Sequence, residues 1–409
     1  MRASKNPLTG ALDQLTRPPW LTGVLAVMAT LSLAVITLHL TTLPPLIASE
    51  GNPQTGDFLA FYTGAAVVAG GNGPSLYDLD VQRTLQSTLV GSTTESWQPY
   101  VNPPGLAVLL SPLVHLGYHW VFFAFDAVML FMFAFTAWQF GIELPALTRT
   151  PIIAWTTFLA VISHQAVIHP LLGGQNTVIT LSLLGLAYVA HRRDKRVCLG
   201  IALGLLTFKP QYLLVIGPLM LLRGELLATG ITGAFAIGHY TLGALFCGWD
   251  WPLQMLHALQ IYRPIEQASQ GMNHFSIRMA ATHSLPSPFD AGIAAIGILL
   301  VLIYLLTHIR ALDRTHPGFP VAWGMMVSGT MLVSPHLNYY DAGVLVLPVL
   351  LGLDYVIAQH GALSLAWRVS LVVLWASYYS WKLGAFLGFQ PLVLVLVTVF
   401  ISLAPVSYT

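Results

Sequence analysis

Four short polar motifs interrupt an otherwise apolar chain, and each carries residue types that can do chemistry. The first is Gly56-Asp57-Phe58-Leu59-Ala60-Phe61-Tyr62, a carboxylate set among aromatic residues. The second is Tyr100-Val101-Asn102-Pro103-Pro104, and the third is Gly173-Gly174-Gln175-Asn176. The fourth is Ser334-Pro335-His336-Leu337-Asn338-Tyr339-Tyr340-Asp341. Lys209-Pro210-Gln211 joins them, and Arg263, His274 and Arg278 lie in a polar stretch over 248–288. A carboxylate can take a proton from a hydroxyl within hydrogen-bond reach. Arg can hold phosphate oxygens in a bidentate fork, and Lys acts on them as a point charge. Charged and amide groups at membrane depth are costly, and usually face a protein interior or a watery cavity. Gathered on one side of a membrane, these groups would make one site.

Each motif also has a plainer reading. Asp57 reads equally well as a solvated loop carboxylate. Gly-Gly-Gln-Asn is an ordinary turn leading to a helix cap. Lys209 can snorkel to the surface, and His336 and Asn338 can cap the next helix. Asp78 and Asp80 resemble a metal-binding pair, but in so polar a loop they read as solvated charge. Asp126 falls within an apolar span, and we expect it to pair with His164 as a structural bridge.

The elements that must position these groups follow from composition. The chain has 409 residues, 56% apolar and 8% charged, against about 25% charged in a soluble domain. Most of it has no water to face, and no stretch reads as a soluble domain. A spanning helix needs about 20 apolar residues. Such runs lie at Trp20–Thr42 and at 119–140, 151–170, 175–191, 226–247, 289–310, 319–335, 338–358, 364–382 and 385–405. Two shorter runs, 196–208 and 211–223, are split by Lys209-Pro210. Read as a hairpin, they bring the total to about twelve crossings. A run at 103–116 is too short to span easily and reads as an interfacial helix. The first run has no small-residue cleavage site after it and reads as a retained helix. We therefore expect a single all-α integral membrane domain over 1–409, with a long first outer loop that carries interfacial helices.

Charge placement orients the helices, because Lys and Arg favour cytoplasmic loops. With the N-terminus inside, the inner set is Arg2, Lys5, Arg17, Arg149, Arg192, Arg193, Lys195, Arg196, Arg223, Arg310, Arg314 and Arg368. The outer set is Arg83, Lys209, Arg263, Arg278 and Lys382. Together they make up the 17 basic residues of the chain. The imbalance places every polar motif outside, provided the chain turns back at Lys209-Pro210. A net charge of +1 gives no sign of nucleic-acid binding. Cys198 and Cys247 suggest neither a disulfide framework nor a zinc site.

Asp57 with Phe58 and Phe61-Tyr62, then Asn102-Pro103-Pro104, Gly174-Gln175-Asn176, Lys209-Pro210 and Ser334-Pro335-His336 resemble, in this order, glycosyltransferase family 87. These are the polyprenyl-phosphate-mannose-type mannosyltransferases of the GT-C superfamily. The likeness covers most of the chain. It implies a multi-helix GT-C fold, a lipid-phosphate sugar donor, and an aspartate of the first outer loop as catalytic base. Asp57 is the matching position. His336 matches a histidine at the outer end of a late helix. Sugar and acceptor vary in the family, with mannose the modal sugar.

That resemblance agrees with the chemistry of the residues. One base suffices for a single displacement with inversion at the sugar carbon, whereas retention needs a second carboxylate beside the sugar. No companion to Asp57 stands out. Charge grows on the departing polyprenyl phosphate, and preplaced cations stabilise it; Lys209, Arg263 and Arg278 are the candidates. Tyr62, Asn102, Gln175, Asn176, Gln211, His274 and Asn338 are the candidate substrate contacts. We expect no cofactor and no metal, since a membrane-borne donor needs no nucleotide cradle and no phosphate loop is present. The expected partners are the lipid donor, a glycolipid or glycan acceptor and membrane lipids, at the outer face of a bacterial cell membrane. Two rivals remain. A lipid or sugar transporter would show internal repeats and broken helices near mid-membrane, and an outer-leaflet polysaccharide polymerase or ligase would also carry outer Arg and His.

Overall fold

A helix satisfies its backbone polar groups within its own segment, as a lipid environment demands. The computed structural model describes residues 18–42, 56–90, 97–270, 274–361, 384–387 and 390–403, and every named element among them is helical. The expected crossing at 364–382, with Arg2, Lys5, Arg17, Arg368 and Lys382, lies outside the described residues. Among the described residues four helices are long and apolar enough to cross a bilayer: Tyr118–Ile142, Leu226–Cys247, Phe289–Thr307 and Tyr339–His360. A fifth, expected as one run over 151–170, is broken into Pro151–Ile162 and Gln165–Gly173 with a bend of 48°. Pro170 lies inside its second half, where it removes a helical N–H. The other apolar helices have 10–17 residues. The loops expected around them also carry helices: Phe58–Ala69 and Leu79–Val90 in the first polar stretch, Trp251–Gln270 and Ile277–Ser284 in 248–288.

The chain divides into two compact units: Met1–Leu38, Ala137–Ile168 and Met272–Thr409 in one, His39–Thr136 and His169–Gly271 in the other. The first is built around Phe319–Val333, whose Trp323, Met325, Met326 and Met331 are fully buried. Gly329 leaves room there for Leu305 and Phe400, and Gly324 for Pro348. In the same unit the buried Asp354 carboxylate accepts the backbone N–H groups of Ala146 and Leu147 at 2.8 and 2.9 Å. A buried carboxylate needs such partners.

Helix direction is the important fact in the second unit. Gly200 faces Ile231, Gly204 faces Phe235, and Thr207 meets His239. Contacts that advance in step mean that Arg196–Leu205 and Leu226–Cys247 run parallel. Gly200 and Gly204 are required, since a Cβ at either would collide with the facing helix. Parallel neighbours need a return segment between them, and Pro210–Leu222 is that segment. The chain therefore reverses at Lys209-Pro210, as the hairpin reading expects. The helix stops at a short 3-10 turn, Leu206–Phe208, and restarts with Pro210 in its first turn, where proline is tolerated. The ends of these helices are chemically distinct. At one end His191 and Arg196 lie 3.8 and 3.7 Å from the Glu225 carboxylate. Lys209 is at the other.

Candidate active site

The second unit assembles its motifs from the backbone outward. Thr177–Arg192 ends at His191, beside Glu225, so its start at Gln175-Asn176 lies at the Lys209 end. Gly174 precedes it at φ +62°, a left-handed conformation that favours glycine, and a Cβ there would lie 2.5 Å from that of Phe58. Gly56, at φ +50°, packs on Gly173, whose carbonyl oxygen would be 3.0 Å from an added Cβ. The Gly56-Asp57-Phe58 turn and the Gly173–Asn176 turn therefore touch through glycine backbone. Phe58 seals the contact among Tyr118, Phe122 and Phe125, at centroid distances of 5.3, 5.1 and 5.4 Å. Asp57 is half-buried at the first turn of Phe58–Ala69, and its carboxylate makes no cap hydrogen bond.

The Asn102-Pro103-Pro104 motif is held by amide side chains. Gln82 and Gln86, one turn apart on Leu79–Val90, are both buried. Gln82 Nε2 donates to the Leu76 and Tyr100 carbonyls, and its Oε1 accepts Tyr100 N–H. Gln86 makes the same pair of bonds with Gln98. The extended 97–100 segment thus finds in two side chains the partners a strand would supply. Tyr100 Oη donates to Pro103 O at 2.5 Å, and Tyr77 Oη to Asn102 O at 2.8 Å. Burial raises both phenols above their ordinary value near 10, so they remain neutral donors. Pro104 reaches Gly243, near the Lys209 end of Leu226–Cys247.

Lys209 is 8% exposed, whereas Arg263 is exposed on Trp251–Gln270. Gln211 and Asn102 are half-buried, and Gln175 and Asn176 are buried. Asn176 occupies an N-cap position, yet its side chain makes no cap bond. Tyr62 is buried, its hydroxyl donating to Val114 O at 3.3 Å, and burial raises its phenol too. One end of this unit thus holds Asp57, Asn102, Gln175, Asn176, Lys209 and Gln211. It offers a carboxylate, a cation and amides, a set suited to proton removal beside a phosphate. His239, which ties Lys209's turn to Pro104's, is missing from the sequence reading. Its only signal there is a polar side chain inside an apolar span.

The first unit holds the remaining candidates. His336 is exposed and His274 buried, and their rings meet edge-on at 4.6 Å. Phe275 N–H donates to Leu337 O at 3.0 Å, holding the two segments together. Asn338 and Asp341 form a reciprocal capping box, with Asn338 N–H donating to Asp341 Oδ2 at 3.1 Å and Tyr339 N–H to Asn338 Oδ1 at 2.8 Å. The capping role foreseen for Asn338 is what the structure displays. Arg278 is exposed, and Asp290 half-buried in the first turn of Phe289–Thr307. Asp126 and His164 fall in different units; His164 Nδ1 accepts Ala166 N–H at 3.2 Å, capping the start of Gln165–Gly173. Among the described residues no three His, Cys, Asp or Glu side chains group as metal ligands.

No curated protein and no solved structure matches the chain. A family model does match, over residues 100–335, which leaves Asp57 and Tyr62 before the matched stretch and His336 and Asn338 just after it. That stretch holds the Asn102, Gln175-Asn176 and Lys209 motifs and more than half of the 409 residues, so the chain belongs to glycosyltransferase family 87.

Proposed function

We propose that this membrane glycosyltransferase moves a sugar, modally mannose, from a polyprenyl-phosphate donor to a glycolipid or glycan acceptor, with inversion and with Asp57 as the base. Its helices adopt a GT-C arrangement of about twelve crossings, with the reaction at the outer face of the cell membrane. One observation carries the assignment: the Asp57 turn packs by glycine contact on the Gln175-Asn176 turn, at the end of the unit that holds Lys209. Six motif residues far apart in sequence share that end, and the basic cluster of His191 and Arg196 lies at the other.

In the reaction, Asp57 takes the acceptor hydroxyl proton as the new carbon–oxygen bond forms at the sugar's anomeric carbon. The bond from that carbon to the phosphate oxygen breaks on the opposite side. A donor phosphodiester with one negative charge becomes a phosphate monoester with nearly two. Lys209, already in place, stabilises the added charge without reorganisation. Arg263, an exposed group of the same unit, would reach the donor from the surface. The amides of Asn102, Gln175, Asn176 and Gln211 are suited to sugar hydroxyls, and Tyr62 and Asn338 act by shaping their turns.

The test is to incubate the purified chain with a panel of polyprenyl-phosphate sugars and glycolipid acceptors, and to follow release of polyprenyl phosphate. We expect one sugar to be transferred with inverted configuration. Transfer only from a diphosphate carrier, or none with any lipid donor, would contradict the assignment.

A further inference from the structure

We infer that His239 is a positioning residue, a two-sided clamp that sets Lys209 at a fixed place relative to Asn102. This inference rests on the functional reading above. The backbone N–H of Gly105 points at His239 Nε2, 3.1 Å away, and Nδ1 of the same ring lies 3.0 Å from Thr207 Oγ1. An imidazole nitrogen that accepts carries no proton, so the proton sits on Nδ1 and is donated to Thr207. Gly105 opens the Gly105–Leu110 helix directly after Asn102-Pro103-Pro104. First-turn N–H groups have no partner within their helix, and Pro104, its N-cap, has no side chain that can cap. The imidazole on Leu226–Cys247 supplies that cap from a distance of 134 residues in sequence. Thr207 lies in the 3-10 turn whose end is Lys209, and Lys209 N–H donates back to Leu206 O at 2.8 Å.

One ring thus joins two motifs that lie far apart in sequence. The arrangement is demanding. A Cβ at Gly105 would strike the imidazole, so glycine there makes room for the ring. Gly243, one turn further along the same helix, makes room for Pro104. Without the clamp the Lys209 turn and the Asn102 loop keep their own local bonds, but lose the bond that registers one against the other. A misplacement of about 1 Å between groups acting on one substrate can lower the rate about 100-fold.

The experiment compares His239→Ala, His239→Gln, Thr207→Val and the double variant His239→Ala/Thr207→Val in the purified full chain. Polyprenyl-phosphate mannose is the probe. We expect His239→Ala to lower kcat/KM for the donor about 10–100-fold per folded molecule. Glutamine, which can accept and donate at once, should recover most of that loss. The double variant should be no worse than His239→Ala, because both changes break one network. Amide hydrogen exchange should rise together over 101–107 and 206–212 in His239→Ala. Unchanged kcat/KM in folded His239→Ala, or additive losses in the double variant, would overturn the clamp. If His239→Ala fails to fold, Thr207→Val and Gly105→Ala each break one side of it, and normal donor kinetics in both would overturn it. If the wild type turns over neither this probe nor any other polyprenyl-phosphate sugar of the panel, the functional reading has failed. Exchange then decides the clamp: a joint rise upholds it, and a rise in one segment or neither overturns it.

Discussion

Among single residues, burial separates groups that sequence position leaves equal. Lys209, Arg263 and Arg278 were alike as basic residues near predicted outer ends, yet only Lys209 is buried. A buried cation that meets the donor phosphate should matter more than an exposed one, whose charge water and salt screen. Lys209→Ala is expected to weaken donor use by about 2–5 kcal/mol, measured as kcat/KM for the donor with acceptor KM nearly unchanged. Arg263→Ala and Arg278→Ala should each cost less, and their loss should shrink further as salt rises. Equal losses at all three positions would argue that burial does not mark the phosphate site. The carboxylates separate in the same way. Asp341 accepts the N–H of Asn338 in a capping box, so its removal should damage the turn. Asp57 stands at a helix start and makes no cap bond there.

Whole elements show how much of the fold the sequence already contains. Apolar run length set the Tyr118–Ile142 and Leu226–Cys247 helices within two residues of expectation, because burial in lipid leaves little choice of backbone. The break at Lys209-Pro210 was legible because proline lacks an N–H and disfavours a helical residue before it. Helices were expected in the first polar stretch, but the bounds of Phe58–Ala69 and Leu79–Val90 were not legible, because their stability comes from tertiary bonds. Gln82 and Gln86 read as ordinary polar residues until the 97–100 segment lies against them. Tyr77 and Tyr100 complete that layer as buried neutral phenols. A phenol whose value is raised by folding contributes stability that is fully present below about pH 10, its unfolded value, and lost as pH rises beyond it. Thermal unfolding should move to lower temperature above pH 10, and less so in Tyr100→Phe. The glycine contact is the sharper case. Gly174→Ala places a side chain at φ +62° against Phe58. The left-handed backbone costs about 1–2 kcal/mol and the overpacking about 1–3 kcal/mol more. Activity should fall with stability, because the Asp57 turn is what moves. A Gly174→Ala variant as stable and active as wild type would separate the two turns.

At the scale of the whole molecule the family, the membrane character and the order of motifs were visible in the sequence. The direction of each helix in the second unit was less direct: the hairpin at Lys209-Pro210 was preferred to one kinked span only because it gathers the polar motifs on one side. Paired contacts that advance in step settle that point: Gly200 with Ile231, Gly204 with Phe235, Thr207 with His239. The reversal fixes which residues share an end, and the basic residues at the opposite end are the ground on which we propose that it faces outward. In a variant freed of Cys198 and Cys247, single cysteines at Lys195 and Gln260 should label from opposite sides of the membrane. Both positions lie in the second unit, one near the basic end and one beyond Cys247. Labelling of both from the cytoplasm would contradict the outward orientation.

The most direct test of the account is turnover by Asp57→Asn. The change keeps the side chain's shape and removes its basic oxygen, in a half-buried position at a helix start. The measurement is release of polyprenyl phosphate from the lipid-phosphate sugar, beside donor binding, at equal yield of folded protein. Turnover is expected to fall about 10²–10⁴-fold with donor binding preserved. Turnover near the wild-type rate, or loss of folding together with donor binding, would contradict it.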